Sequence, residues 1–295
     1  MKRMLEDALK LQRDFSRSTL DRGAAAALDR WLRWRAPRTE QPRPVITLPG
    51  FAAPRSSHKS LRRFLADRGF VVETFQAGFP RGETIPEFVD NLEQQLGPQI
   101  RVLSERYGCG VSLVGQSAGG LFAREVAGRF GEHIDRVITL AAPTNDPAQA
   151  GLQNRALEWL VGRLSGAADF NEQAGEGGLF HWPADTPRLP YVAICSPVDG
   201  AVPEPTALIP DTTVANSSAA APRENLRVRC SHFGMHRHPL VLLALADRLC
   251  QPRDNWQPFQ PRDYIRFLPD AALRHHFPES SLSSECQGVV GAVAV

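Results

Sequence analysis

Residues 111–120 read VSLVGQSAGG, and the way this stretch folds decides how its neighbours are arranged. The apolar run Val111, Leu113, Val114 stops at Gly115. Ser117 then follows in the pattern Gly-x-Ser-x-Gly, flanked by Gly115 and Gly119. A strand that turns sharply into a helix brings backbone against backbone, so side chains two residues either side of the turning residue would clash. Leu121, Phe122, Val126 and Phe130 then recur at helical spacing. The pattern predicts a strand, a tight turn and a helix, with the Ser117 hydroxyl exposed at the tip above a helix N-terminus. Ser117 is the candidate nucleophile.

The segments to either side alternate in the same way. Val45 to Leu48 (VITL) is a short apolar run ending at Pro49-Gly50, which predicts a buried strand. Residues Ser57 to Arg68 carry Leu61, Phe64 and Leu65 on one helical face and stop at Gly69. Phe70 to Phe75 reads as a strand. Ile85 to Arg106 reads as a helix that Pro98 should break or kink. After the Ser117 helix come the strands Arg136 to Ala141, Tyr191 to Cys195, and Leu226 to Cys230. Pro239 then opens an apolar helix, PLVLLALADRL. Strands alternating with amphipathic helices predict an α/β fold, a mostly parallel sheet covered on both faces. Ligands in such sheets bind beyond the carboxyl ends of the strands, where Ser117 is expected.

One segment interrupts this rhythm. Residues 143–190 follow the fourth predicted strand and carry Leu157, Leu160, Val161 and Leu164 at helical spacing, then a Gly-rich piece leading to Phe180, His181 and Trp182. An insertion of this length predicts a helical cap over the sheet. Its apolar stripe can pack on the body or contact an acyl chain. Residues 1–43 read as a helical extension that concentrates Arg30, Trp31, Leu32, Arg33, Trp34 and Arg35. Its acidic residues Glu6, Asp7, Asp14, Asp21 and Asp29 favour docking on the main domain, with peripheral membrane contact the rival role. The expected organisation is therefore an extension over 1–43, a main domain over 44–270 and a C-terminal tail over 271–295.

At 295 residues the chain can bury a full core. A formal net charge of +2 gives no general reason to expect nucleic acid as a partner. The five cysteines (Cys109, Cys195, Cys230, Cys250, Cys286) are odd in number and never in CxxC spacing. That argues against a disulfide framework and a zinc site, and for a reducing compartment. The charged start, MKRMLEDALKLQRDF, lacks a secretory apolar core, and no run is long enough to span a bilayer. The expected location is cytoplasmic, with the N-terminal helices as the candidate membrane contact.

A serine hydroxyl is a weak nucleophile at neutral pH, so it needs a base, and the base needs an orienting group. Asp199 follows a predicted strand by four residues and belongs to an Asp-Gly turn that would present its carboxylate at the sheet's carboxyl edge. His232 follows the last predicted strand by two residues, on the same edge. The order Ser, acid, His is the one expected for a serine on such a turn. Asp211 is the rival acid. His236 and His238 are the rival bases, although His238 precedes Pro239 and suits a helix start. His181, His275 and His276 read as ordinary surface histidines. The oxyanion formed on an attacked carbonyl needs donors. The Ala118 N–H, directly after the serine, is one candidate, and the Phe51 N–H, in the Pro49-Gly50-Phe51 loop after the first strand, is the other.

The sequence LPGF, GQSAGG, SPVDGAVP and CSHFGM, in that order, resembles the α/β-hydrolase superfamily, most closely its bacterial lipase and esterase members. RVITLAAPT and the tail HPLVLLALADRLCQPRDNWQPF also resemble that branch, and the likeness covers roughly residues 44–260. It implies Ser117 as nucleophile, Asp199 as acid, His232 as base, and the amides of Phe51 and Ala118 as the oxyanion hole. Two features depart from the pattern. Pro49-Gly50 stands where many relatives have His-Gly, and no opening hairpin strands precede Val45, which predicts a reduced sheet with the N-terminal helices over its edge. The resemblance implies hydrolysis of a small-molecule ester or lipid through an acyl-enzyme, with no metal or organic cofactor required. Thioesterase and acyltransferase chemistry can use the same triad, and a non-catalytic membrane-associated module is the reading from a different class.

Overall fold

The computed structural model describes residues 2–50, 53–75, 85–144, 189–209 and 221–278. Six strands form one sheet: β1 (Arg43–Leu48), β2 (Phe70–Thr74), β3 (Val111–Gln116), β4 (Ile134–Leu140), β5 (Tyr191–Cys195) and β6 (Arg223–Arg227). Their order is β2-β1-β3-β4-β5-β6, and every neighbouring pair is parallel. The strands between the edges are almost wholly buried because both of their faces are covered. Every residue of β3 and β5 is buried, and the edge strand β6 has one fully buried residue, Leu226.

Alternate side chains feed two cores. Val45, Val114, Ile138, Val192 and Ile194 point to one face, with α2 (Lys59–Ala66), the C-terminal end of α1 (Lys2–Arg35) and α5 (Pro239–Cys250). Ile46, Leu48, Leu113, Val137 and Ala193 point to the other, with α3 (Ile85–Tyr107) and α4 (Ala118–Arg129). The helix α3 continues through Pro98, so the proline does not break it. Leu92, Leu96, Ile100 and Leu103 are buried along one face of it, and this packing on both sides of the proline offsets a cost of about 3 kcal/mol.

The N-terminal segment is a single helix. It lies against α5 and the turn Met235–Arg237. Leu32 and Ala36 join the core, while Leu9, Phe15, Leu20 and Trp34 stay exposed. No described helix is long and apolar enough to cross a membrane.

Two expected boundaries shift. The last strand spans Arg223–Arg227 rather than 226–230. It is a polar edge strand whose register is set by pairing Tyr191 with Arg223 and Cys195 with Arg227, so the apolar pattern of residues 226–230 misplaced it. His232 therefore stands five residues past the strand. The expected tail from residue 271 begins inside the short helix α6 (Asp270–His276), and Leu273 and Phe277 are fully buried in the core beside Phe259. The folded body thus runs at least to Phe277. Most of the expected cap insertion (145–188) and the end of the chain (279–295) lie outside the described residues.

Candidate active site

Strand β3 delivers the chain to Gln116 and α4 begins at Ala118, leaving Ser117 at the turn with φ +53° and ψ −127°. Ser117 and Ala141 are the positive-φ residues other than glycine among those described. Such a conformation stores about 1–3 kcal/mol and persists only where its surroundings impose it. The Ser117 N–H donates to Leu140 O at 2.9 Å, and the Gly120 N–H donates to Ser117 O at 2.9 Å. A Cβ on Gly119 would stand 2.2 Å from Leu48 O, and one on Gly115 would stand 2.3 Å from Gly119 O. Both flanking glycines are thus required by close approach of backbone. Ala118 opens α4, so its N–H has no acceptor within the helix. Phe51 lies outside the described residues. The main chain at Gly50 does pass beside the serine, since a Cβ there would come within 3.8 Å of Ser117 Oγ.

Asp199 lies on the turn after β5. Its Oδ1 accepts the N–H groups of Ala201 and Val202 at 2.8 and 2.7 Å, which fixes the carboxylate. Its Oδ2 is 2.9 Å from His232 Nδ1. The two loops are joined again at Ser196, whose Oγ donates to Cys230 O at 2.7 Å and accepts the Cys230 N–H at 3.2 Å. His232 is only 5% exposed. Burial by itself would lower its pKa, but the Asp199 charge, the hydrogen bond to that carboxylate and the more distant Asp14 outweigh it, and the net direction is upward. With the Nδ1 proton held on Asp199, Nε2 is the basic nitrogen.

Three other residues support this pair, and sequence reasoning missed all of them in that role. Gln116 donates from Nε2 to His232 O at 2.8 Å, and its Oε1 lies 3.2 Å from His58 Nε2. The amide is already a donor to His232, so its oxygen must accept, and His58 must carry its proton on Nε2. His58 is fully buried, and burial pushes its pKa down to about 4, so the ring is neutral. The third is Asp14 of α1, which accepts the His232 N–H at 2.9 Å. Gln116 fills a variable position of the Gly-x-Ser-x-Gly pattern, and its polarity just before the serine was the one available signal.

The rivals sit elsewhere. His236 is buried with its ring 5.5 Å from that of His58. His238 occupies the N-cap position of α5, where its carbonyl accepts the Leu242 N–H at 2.9 Å. His275 is exposed and His276 half-buried at the end of α6. Asp211 and His181 lie outside the described residues. Among the described residues, no group of three or more His, Cys, Asp or Glu side chains could hold a metal ion.

No family model matches the chain, and no curated protein matches it. Solved structures do. A soluble variant of monoglyceride lipase from Saccharomyces cerevisiae superposes with a TM-score of 0.51 at 12% identity, over 73% of this chain and 89% of that one. The esterase Est1E from Butyrivibrio proteoclasticus gives 0.47 at 15%, over 74% and 93%. The RedJ thioesterase of prodiginine biosynthesis in Streptomyces coelicolor gives 0.43 at 17%, over 72% and 95%. At 12% identity the likeness to the monoglyceride lipase speaks to architecture alone, and with the six-stranded parallel sheet it gives the chain the fold of the α/β-hydrolase superfamily.

Proposed function

We propose that the protein is a serine hydrolase that cleaves small-molecule carboxylic esters through an acyl-enzyme on Ser117. His232 is the general base and Asp199 the group that orients it. The observation that carries this reading is the 2.9 Å hydrogen bond between His232 and Asp199, on loops that leave the same carboxyl edge of the sheet as the strained Ser117 turn.

In acylation His232 Nε2 takes the Ser117 proton as Oγ bonds to the ester carbonyl carbon. The carbonyl electron pair moves onto oxygen, where the Ala118 N–H, and the Phe51 N–H from the loop after β1, stabilise it. The tetrahedral species collapses, the C–O bond to the alcohol breaks, and the imidazolium gives its proton to the departing oxygen. Water then attacks the acyl-enzyme with the same base, which releases the acid and restores Ser117. The Asp199 carboxylate holds the ring in place and stabilises the imidazolium.

The test is hydrolysis of a chromogenic ester series, from acetyl to palmitoyl, by the wild type and Ser117→Ala. Turnover by the wild type and its loss in the variant, by about 10⁴-fold or more in kcat, is the expected result. The preferred acyl length separates esterase from lipase. No turnover on any chain length by folded wild-type protein would overturn the reading, as would full activity in Ser117→Ala.

A further inference from the structure

We propose that Asp14, on α1, is a positioning residue that locks the loops bearing Asp199 and His232 into one rigid unit; this rests on the reading of those two residues as acid and base. The Asp14 side chain lies on neither loop, yet it is 1% exposed and turned toward both. Its Oδ1 accepts the Gly200 N–H at 3.1 Å from the acid loop and the His232 N–H at 2.9 Å from the base loop. Its Oδ2 accepts the Phe233 N–H at 3.3 Å. One carboxylate thereby bridges backbone groups adjacent to both members of the pair.

The surroundings are built for this contact. Three successive amides of the acid turn are shared between two carboxylates, Gly200 to Asp14, and Ala201 and Val202 to Asp199. A Cβ on Gly200 would stand 2.5 Å from Lys10 O and 2.8 Å from Asp14 Cβ, so the Asp-Gly pair is needed for the helix to come this close. Arg17 adds a 3.2 Å hydrogen bond from Nη1 to Val198 O, and the Phe15 ring lies 5.4 Å from that of Phe233. His232 is consequently held at three points: its N–H by α1, its carbonyl by Gln116 at the serine turn, and its ring by Asp199.

A second buried carboxylate beside Asp199 is costly unless its hydrogen bonds are needed. Desolvation, together with the Asp199 charge, pushes the Asp14 carboxyl upward, and the amides of His232, Gly200 and Phe233 act against this. Burial of this kind is retained where geometry depends on it, and a misplacement of about 1 Å in a reacting group can cost about 10²-fold in rate.

The experiment uses the full chain as wild type, Asp14→Ala and Asp14→Asn. It measures kcat and KM on the best chromogenic ester and, without substrate, the low-field proton resonance of His232 Nδ1–H in histidine-labelled protein. Asp14→Ala should lower kcat by about ten- to a hundredfold with KM nearly unchanged, and should broaden or shift the resonance. Asp14→Asn keeps an oxygen for the Gly200 and His232 N–H groups, so it should recover most of both. If Asp14→Ala does not fold, Gly200→Ala takes its place with the same expectation, because its Cβ presses on Lys10 O. A wild-type kcat or an unchanged resonance in the Ala variant overturns the proposal. So does an Asn variant as impaired as the Ala variant. If the wild type hydrolyses no ester, the resonance decides alone: its loss in Ala and return in Asn sustain the positioning role while the ester reading falls.

Discussion

His232 and Asp199 meet through one carboxylate oxygen, at 2.9 Å, while the other oxygen is occupied by the amides of Ala201 and Val202. The division matters because the occupied oxygen fixes the direction in which the other one points. Asp199→Asn should therefore keep the fold and lose the chemistry. Its amide oxygen can still accept the two N–H groups, while its NH₂ faces His232 Nδ1 and forces the wrong tautomer. The expected loss is about 10⁴-fold in kcat with little change in thermal midpoint. Steady-state kinetics with a circular-dichroism melt checks both halves, and full activity would remove Asp199 from the role.

The net upward shift at His232 has a definite sign in catalysis. As the proposed general base, His232 works only when neutral, so kcat/KM should be flat at higher pH and fall as pH drops through the folded pKa. With that pKa above the ordinary 6.5, the half-maximal point of the acid limb should lie above pH 6.5. A pH profile of kcat/KM measures it, and a limb centred below that value would contradict the balance of burial against the Asp199 charge.

Gln116 joins His58 to the main chain of His232. Gln116→Leu would leave the His58 Nε2–H buried without its partner and the His232 carbonyl with only the longer 3.4 Å bond from the Met235 N–H, at a cost of about 1–3 kcal/mol. Urea unfolding should show that loss, and kcat should fall with it as the His232 backbone loosens. A variant as stable and as active as wild type would mean that neither hydrogen bond matters.

Gly119→Ala is a small change with no room to be made. The added methyl would meet Leu48 O at 2.2 Å and Pro49 O at 2.5 Å, both backbone atoms that cannot swing aside. The expected loss is about 1–3 kcal/mol or more of stability, together with activity, because α4 must move away from β1. Denaturant midpoints test it. The methyl at Gly128 of the same helix meets nothing within 4 Å, so Gly128→Ala is the matched control and should be neutral or stabilising.

Much of this was legible because its causes are local. The run from Val111 to Gly115, the glycines around Ser117, and the Asp-Gly pair at 199–200 are each dictated by neighbours within a few residues. Strand β6 was misread because a polar edge strand takes its register from β5, and an apolar count over residues 226–230 carries no information about that partner. Pro98 does not break α3 because burial of Leu96 and Ile100 on either side of it outweighs the local cost. Asp14 looked like one of several charges on a helical extension. Its hydrogen bonds to Gly200, His232 and Phe233 are set by how α1 docks, and no spacing within the helix reveals them.

The Asp14 contact also orders events in time. It closes a loop of 218 residues, whereas the Ser117 turn needs only the strands and helix around it. Contacts of such separation are the slowest to be rewarded during folding. A chain emerging from synthesis can complete the serine turn well before residue 232 exists, and the basic nitrogen arrives with the last third of the sequence. A nascent chain would therefore carry the proposed nucleophile before its proposed base, and the geometry that Asp14 imposes on the Asp199 and His232 loops arrives only once the first helix has closed on the late loop.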